Sequence, residues 1–222
     1  QVRDLPEGYL DKFAAAYEIN HDLAGWITIP NTNINLPVVQ CEDNAYYLNH
    51  SFEGQPDTLG TPFMDFRNEL TPELSTNTLI YGHNWNSGAM FHSLLEYRSL
   101  DFYKTAPVIT FDTVYEESQW KVIACFEATT DPAIGEVFNY FNFVRTKNEE
   151  RIQWYLDQVQ ARSFFLTTVD VNTSDKLLTI QTCANDRYDT KVCLVARKVR
   201  PGESADVDVE NAVVNETRVK PS

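Results

Sequence analysis

The stretch Leu177-Leu178-Thr179-Ile180-Gln181-Thr182-Cys183 is the strongest indication of the fold. Its apolar and β-branched residues favour a strand, and the strand ends where the polar loop of residues 184–190 begins. A second apolar run, residues 191–199, follows that loop. The two runs therefore predict the last two strands of the chain, with Cys183 at a strand end.

Further short strands are predicted along the rest of the chain, at residues 26–30, 34–39, 60–66, 78–81, 108–111 and 120–127. Apolar residues recur at helical spacing in residues 5–19, 90–97 and 148–162, and residues 43–48 resemble a capped helical turn. Many short strands and few helices favour a mainly β fold, either a barrel or a sandwich with helical insertions.

Composition limits the possible functions. The 222 residues suffice for one domain, and 43% apolar with 23% charged residues is typical of a folded soluble protein. The net charge of −14 would repel phosphate backbones, which argues against nucleic acid as a partner. We find no run of about 18 apolar residues that would span a membrane, and no signal peptide, within the sequence.

Four cysteines are spaced widely and contain no CxxC pair, which argues against a zinc site and against a disulfide scaffold. Cys125 and Cys193 lie inside apolar runs and are predicted core residues. Cys183 lies instead at a strand end, where a side chain is held by the sheet and open to solvent. That position suits a nucleophile, although a buried structural cysteine is an equally acceptable interpretation of position alone.

A histidine and two cations could assist such a nucleophile. His83 follows the strand of residues 78–81 and Gly82, so it lies at a strand exit. Its position fits either a catalytic acid/base or a structural loop histidine. Arg187 and Lys191 follow Cys183 and could stabilise a thiolate or an oxyanion, or be solvated surface charge. Spacing alone does not join these groups.

Several segments together resemble the class B sortases, and the similarity covers about residues 8–200. They are Trp26-Ile27-Thr28-Ile29-Pro30, Leu36-Pro37-Val38-Val39-Gln40, Asp43-Asn44-Ala45-Tyr46-Tyr47-Leu48, Gly60-Thr61-Pro62-Phe63-Met64-Asp65-Phe66-Arg67-Asn68, Tyr81-Gly82-His83-Asn84, Met90-Phe91, residues 177–183 and Val195-Ala196-Arg197. One such motif is weak, but this ordered set is specific.

The resemblance implies an eight-stranded sortase-type β-barrel with an N-terminal helix and a helix inserted before the strand that carries the cysteine. The chain is thus expected to divide into an N-terminal helical segment (1–20), a sortase catalytic domain (21–200) and a tail (201–222), whose acidic and polar composition predicts flexibility. No metal or organic cofactor is expected.

The resemblance also implies the chemistry. Cys183 would attack the carbonyl of the Thr in a C-terminal sorting signal, so that the bond after the Thr is cleaved. A thioacyl enzyme forms, and an amine then resolves it. His83 would protonate the leaving amine and deprotonate the incoming one. Thr182, Asn84 and Tyr188 are the predicted substrate-binding residues.

One position departs from the family pattern. Family members carry an Arg just before the last apolar strand, where this chain has Lys191. A Lys keeps the charge but loses the planar donor pair of Arg. Lys191 and Arg187 are therefore both candidates for the oxyanion role.

The implied partners are surface proteins that bear a sorting signal, with a cell-wall peptide amine as the acceptor. Alternatives are a pilin-polymerising sortase, a cysteine hydrolase whose thioester is resolved by water, and a catalytically weakened surface-binding module. The resemblance implies a domain at the extracellular face of the cell membrane, held by an N-terminal segment that precedes Gln1.

Overall fold

A closed β-barrel forms the centre of the molecule, in a computed structural model that describes residues 5–184 and 190–221. The strands are β1 (Leu23–Thr28), β2 (Asn35–Val39), β3 (Phe63–Met64), β4 (Asn77–Tyr81), β5 (Val108–Thr113), β6 (Gln119–Thr129), β7 (Phe165–Leu166), β8 (Leu177–Cys183), β9 (Thr190–Lys198) and β10 (Val213–Val214). Within the described residues, eight of them close in the order β1-β2-β3-β4-β8-β9-β6-β5. The predicted eight-stranded barrel is confirmed.

Short helices connect the strands: α1 (Ala14–Ile19), α2 (Leu100–Thr105) and α3 (Glu149–Arg162), with 3-10 turns at Asp11–Phe13, Tyr46–Leu48, His92–Arg98 and Tyr140–Asn142. The N-terminal helix is shorter than predicted, because Gly8 has a φ of 85° and Leu10 has an extended backbone, so helical structure begins only at Asp11. The predicted helix before the cysteine-bearing strand is α3, and the Asn148 side chain caps it by accepting from the Arg151 N–H. Among residues 5–184 and 190–221, no helix has the length and apolar character needed to cross a membrane.

The barrel wall packs on both of its faces. Leu178 and Ile180 of β8 point into the barrel core, whereas Leu177 belongs to a second cluster on the outer face. There α3 covers the wall, and its Tyr155 ring stacks on Phe143 with 4.1 Å between ring centroids. Side chains alternate along a strand, so the outer face of β8 continues from Leu177 to Cys183.

Strand register brings the two predicted catalytic residues to one edge. Strands β4 and β8 run parallel, and their pairing extends from Asn77 opposite Leu177 to Tyr81 opposite Gln181. The Gly82 N–H continues the pairing with a 3.1 Å hydrogen bond to the Gln181 carbonyl. His83 and Cys183 are each two residues beyond the Tyr81–Gln181 pair, so both leave the sheet at the same level.

The C-terminal segment differs from the predicted flexible tail. Val213 and Val214 pair with β7, and the Val219 N–H donates to the Ala161 carbonyl at the end of α3. The Arg218 guanidinium lies 4.1 Å from the Phe164 ring centroid. Main-chain pairing and cation–π contact hold this segment to the domain although its composition is acidic and polar.

A buried arginine anchors the start of that segment. The Arg197 side chain is 0% exposed, and its guanidinium donates to both Glu203 carboxylate oxygens, at 2.6 and 2.7 Å. Lys121 adds a third contact at 2.8 Å. These hydrogen bonds, above all those from Arg197, hold the pKa of Glu203 well below its usual range.

We expect Glu203→Gln to destabilise the protein by about 3 kcal/mol, because the buried Arg197 guanidinium then keeps only the exposed Asp170 carboxylate as a charged partner. The matched control is Glu210→Gln, an exposed residue of the same segment, which should change little. Because the folded pKa is depressed, the stabilisation is fully present above the unfolded value of about 4.3. It should therefore be lost as the pH falls below that value. Urea unfolding of both variants at pH 7 and pH 3 measures this, and an equal loss at both pH values would contradict the assignment.

Candidate active site

Cys183 is half-buried at the end of β8, directly opposite Lys191 of β9. The Lys191 ammonium donates to the Cys183 sulfur, with 3.3 Å between Nζ and Sγ. An ammonium at this distance attracts a negatively charged sulfur. The strand pairing therefore places Lys191, one of the two predicted cations, next to the sulfur.

His83 is held at the exit of β4 by its backbone and by its ring. Its carbonyl accepts from the Phe91 N–H at 2.9 Å, and the Phe91 ring leaves no space for a Cβ at Gly82, where an added carbon would lie 2.4 Å away. The ring Nε2 lies 2.6 Å from the Leu48 carbonyl oxygen. A carbonyl only accepts, so this geometry requires a proton on Nε2 and leaves Nδ1 as the ring atom that can gain and release a proton.

Both side chains line one pocket of about 280 Å³. Its lining residues are Asn44, Leu48, Phe63, Tyr81, Gly82, His83, Gln181, Cys183 and Lys191. A cleft of larger volume, about 510 Å³, lies beside Asp112 and Lys198. The described residues that line that cleft include no thiol and no imidazole. The pocket next to Cys183 is therefore the candidate active site.

Two predicted substrate-binding residues lie behind the nucleophile rather than in the pocket. Thr182 is fully buried, and its hydroxyl donates to the Gly82 carbonyl at 2.8 Å. The Asn84 amide donates to the Cys183 carbonyl at 2.7 Å. Thr182 alternates with Cys183 and so faces the barrel interior, which corrects its expected contact with substrate. These residues hold the backbones of the two catalytic candidates together.

Arg187 and Tyr188, also predicted site residues, lie outside the described residues. The amide N–H of Ala184, beside the nucleophile, donates to the Thr190 carbonyl at 2.8 Å and is thus engaged in strand pairing. The Lys191 ammonium, which contacts the Cys183 sulfur, is therefore the candidate donor for an oxyanion among the described neighbours of Cys183.

The residues that form the walls of the pocket were not predicted as site residues. Tyr81 and Gln181 are each two residues before His83 and Cys183 on paired strands, so all four share a face. Alternation along the two strands could have identified both. Asn44 and Leu48 come from the turn before β3, and the sequence contains no periodic signal that would place them here.

The arrangement is suited to nucleophilic acyl transfer. A sulfur nucleophile, a cation within hydrogen-bonding distance of it and an imidazole lie around one half-open pocket. These are the groups required to attack a carbonyl, stabilise the resulting oxyanion and move a proton.

Comparison with known proteins agrees with this chemistry. The family model "Sortase domain" matches residues 27–199. Sortase B of Staphylococcus aureus is 35% identical over 192 residues, which covers 85% of this chain and 74% of that protein. Sortase B of Listeria monocytogenes is 32% identical over 179 residues, covering 80% and 69%.

Solved structures give the same result. A Staphylococcus aureus sortase B–substrate complex superposes with a TM-score of 0.78 at 32% identity, over 87% of each chain. Sortase B of Clostridium perfringens superposes with a TM-score of 0.75 at 27% identity, over 84% of this chain and 98% of that one. The chain belongs to the sortase family of cysteine transpeptidases and is a class B member.

Proposed function

We propose that this chain cleaves a C-terminal sorting signal after its Thr and transfers the shortened protein to an amine of cell-wall peptide. The observation that carries the proposal is the Cys183–Lys191 contact of 3.3 Å in a pocket shared with His83. One sortase B structure similar to this chain is a substrate complex, and another is complexed with triglycine. A peptide with a free amino terminus is the kind of acceptor that transpeptidation requires, which supports an amine as the second substrate.

The reaction has two halves. Cys183 Sγ bonds to the Thr carbonyl carbon, the carbon–nitrogen bond breaks, and a proton from His83 neutralises the leaving amine. The acceptor amine then attacks the thioester carbon and gives its proton to His83, and Sγ leaves as a thiolate. Lys191 stabilises the oxyanion in each half and the thiolate between turnovers.

The proposal is tested with peptides that carry Thr before the scissile bond, incubated with and without triglycine and analysed by mass spectrometry. We expect a thioacyl adduct on Cys183, and ligated product only when triglycine is present. Hydrolysis that triglycine does not divert would identify a cysteine hydrolase. Absence of any adduct would favour the surface-binding module. Pilin peptides as acceptors distinguish wall anchoring from pilus assembly.

We also propose that the domain acts at the extracellular face of the cell membrane, where surface proteins and wall peptide meet. The placement rests on the proposed reaction, whose two substrates are surface proteins and wall peptide. Protease added to intact cells should degrade the domain, whereas a cytoplasmic marker should survive. Protection of the domain in intact cells would contradict the placement.

Replacing Lys191 separates the two cation candidates. We expect Lys191→Met to lower kcat/KM about 10²- to 10³-fold, the loss typical of one oxyanion donor. Lys191→Arg should keep or raise activity, because guanidinium retains the charge and adds a second donor. The control is Lys198→Met. Lys198 lies on the same strand as Lys191, but its ammonium pairs with the exposed Glu116. Full activity in Lys191→Met, with loss in Arg187→Ala, would move the role to Arg187.

A further inference from the structure

A buried carboxylate lies behind the wall of the candidate active site. Asp65, just after β3, is 0% exposed. It accepts from the Tyr81 hydroxyl at 2.8 Å, from the Asn44 amide at 3.1 Å and from Arg67 Nε and Nη2 at 2.8 and 2.7 Å. Two of these three donors, Tyr81 and Asn44, line the pocket that contains Cys183. Asp65 therefore joins separate parts of the pocket wall.

Charge balance keeps this cluster in one protonation state. Burial pushes the pKa of Asp65 upward, but hydrogen bonds from Arg67 more than offset it and leave that pKa below its usual value. Burial, followed by the neighbouring Asp65 charge, raises the pKa of Tyr81 far above its usual value. Asp65 thus stays an acceptor, and Tyr81 a donor, over the whole neutral range.

Arg67 connects this cluster to a second segment of the chain. Its Nη2 also donates to the Phe141 carbonyl at 2.7 Å. Phe141 belongs to the turn Tyr140–Asn142, between β6 and α3, which packs over the outer face of the barrel. One guanidinium therefore links the loop after β3 to the turn that packs over the outer face of the barrel.

We propose that Asp65 and Arg67 are a positioning pair that sets the shape of the acyl-donor site, and so its affinity for the peptide that precedes the scissile bond. This rests on the function proposed above. The pair forms hydrogen bonds with Tyr81, Asn44 and the Phe141 turn. It therefore affects the site by fixing the positions of these groups. Displacement of the pocket wall should weaken peptide binding. The reactivity of the Cys183 sulfur toward a small reagent should be preserved, because such a reagent does not need the wall.

The test compares Arg67→Met, Arg67→Lys and Tyr81→Phe. Arg67→Met should raise KM for the Thr-containing peptide about tenfold or more, with little change in the rate at which iodoacetamide alkylates Cys183. Arg67→Lys keeps the charge beside Asp65 but cannot reach both partners, so it should show an intermediate KM. Tyr81→Phe removes only the hydroxyl and should raise KM while Arg67 still neutralises Asp65.

Arg145→Met is the matched control. Arg145 also connects the segment after β3 with the segment before α3, through Glu69, but that pair is exposed on both sides, at 54% and 57%. Its removal should leave KM unchanged, because exposed pairs contribute little and this one does not touch the pocket. An equal KM change in Arg67→Met and Arg145→Met would overturn the proposal.

Two further outcomes are distinguishable. If wild-type protein forms the thioacyl adduct and Arg67→Met keeps its KM, the positioning pair is refuted while the proposed function stands. Arg67→Met could instead show a higher KM together with a lower kcat, alkylation rate and melting temperature. The pair would then be only structural, and the proposal would likewise be refuted. Failure of wild-type protein to form any adduct would instead refute the proposed function on which the pair depends.

Discussion

Cys183→Ala is expected to abolish hydrolysis and ligation together, lowering turnover by about 10⁴-fold or more, because the covalent intermediate then has no sulfur on which to form. The Cys183 sulfur is the thiol that lines the candidate pocket and contacts the Lys191 ammonium. Without it, bound peptide has no nucleophile. Single-turnover mass spectrometry should therefore detect no adduct, and peptide should be recovered intact.

Cys41→Ala is the matched control for that loss. Cys41 is also half-buried, but burial raises the pKa of its thiol and its Sγ donates to the Asp43 carbonyl at 3.4 Å. Cys125 and Cys193 are fully buried, and burial raises the pKa of both thiols as well. Cys41→Ala should keep full turnover. Adduct formation in Cys183→Ala would show that another cysteine reacts and would remove Cys183 from the mechanism.

The strands and α3 were predictable because they carry local signals, whereas the closed barrel was predicted through the family resemblance. The strand that ends in Cys183 is apolar and β-branched, and α3 has apolar residues Ile152, Tyr155, Leu156 and Val159 on one face together with an Asn148 cap. Each signal depends on residues close together in sequence. The predicted division at residues 20 and 200 stays a prediction.

The meeting of His83 and Cys183 was predictable only through family resemblance. The two residues are 100 positions apart in the sequence, and they meet because β4 pairs in parallel with β8 at a constant offset. That register depends on which side chains pack inside the barrel, information that no local window contains. Once the register is known, alternation also explains why Thr182 faces inward.

Other contacts carried no signal in the sequence. Asp65 and Arg67 resemble the charges of an ordinary surface loop, yet Asp65 is fully buried and its Asn44 partner is 21 residues away. The C-terminal segment has the polar composition of a flexible tail. It is held by the Glu203 ion pairs, by β10 and by the Arg218 contact with Phe164. Amino-acid composition can indicate which segments bury apolar side chains. It cannot indicate which polar side chains will pair with each other.

His83→Gln should slow acylation by an amide peptide about 10²- to 10⁴-fold, the usual contribution of a general acid. A glutamine amide can still donate to the Leu48 carbonyl that His83 Nε2 contacts at 2.6 Å, so the local structure should persist. The loss should depend on the leaving group. An amine must be protonated to leave, whereas a thiol leaves as a thiolate and needs no acid.

Single-turnover acylation therefore separates the two roles that His83 could have. With the scissile amide replaced by a thioester, His83→Gln should acylate Cys183 within about tenfold of the wild-type rate, because the step that needs the acid is absent. His21→Gln, which removes a ring stacked on Tyr17 at 4.7 Å, should acylate normally with both substrates. An equal loss with amide and thioester would mean that His83 only orders the pocket wall through Leu48. The proton for the leaving amine would then have to come from another group in the pocket, such as the Lys191 ammonium.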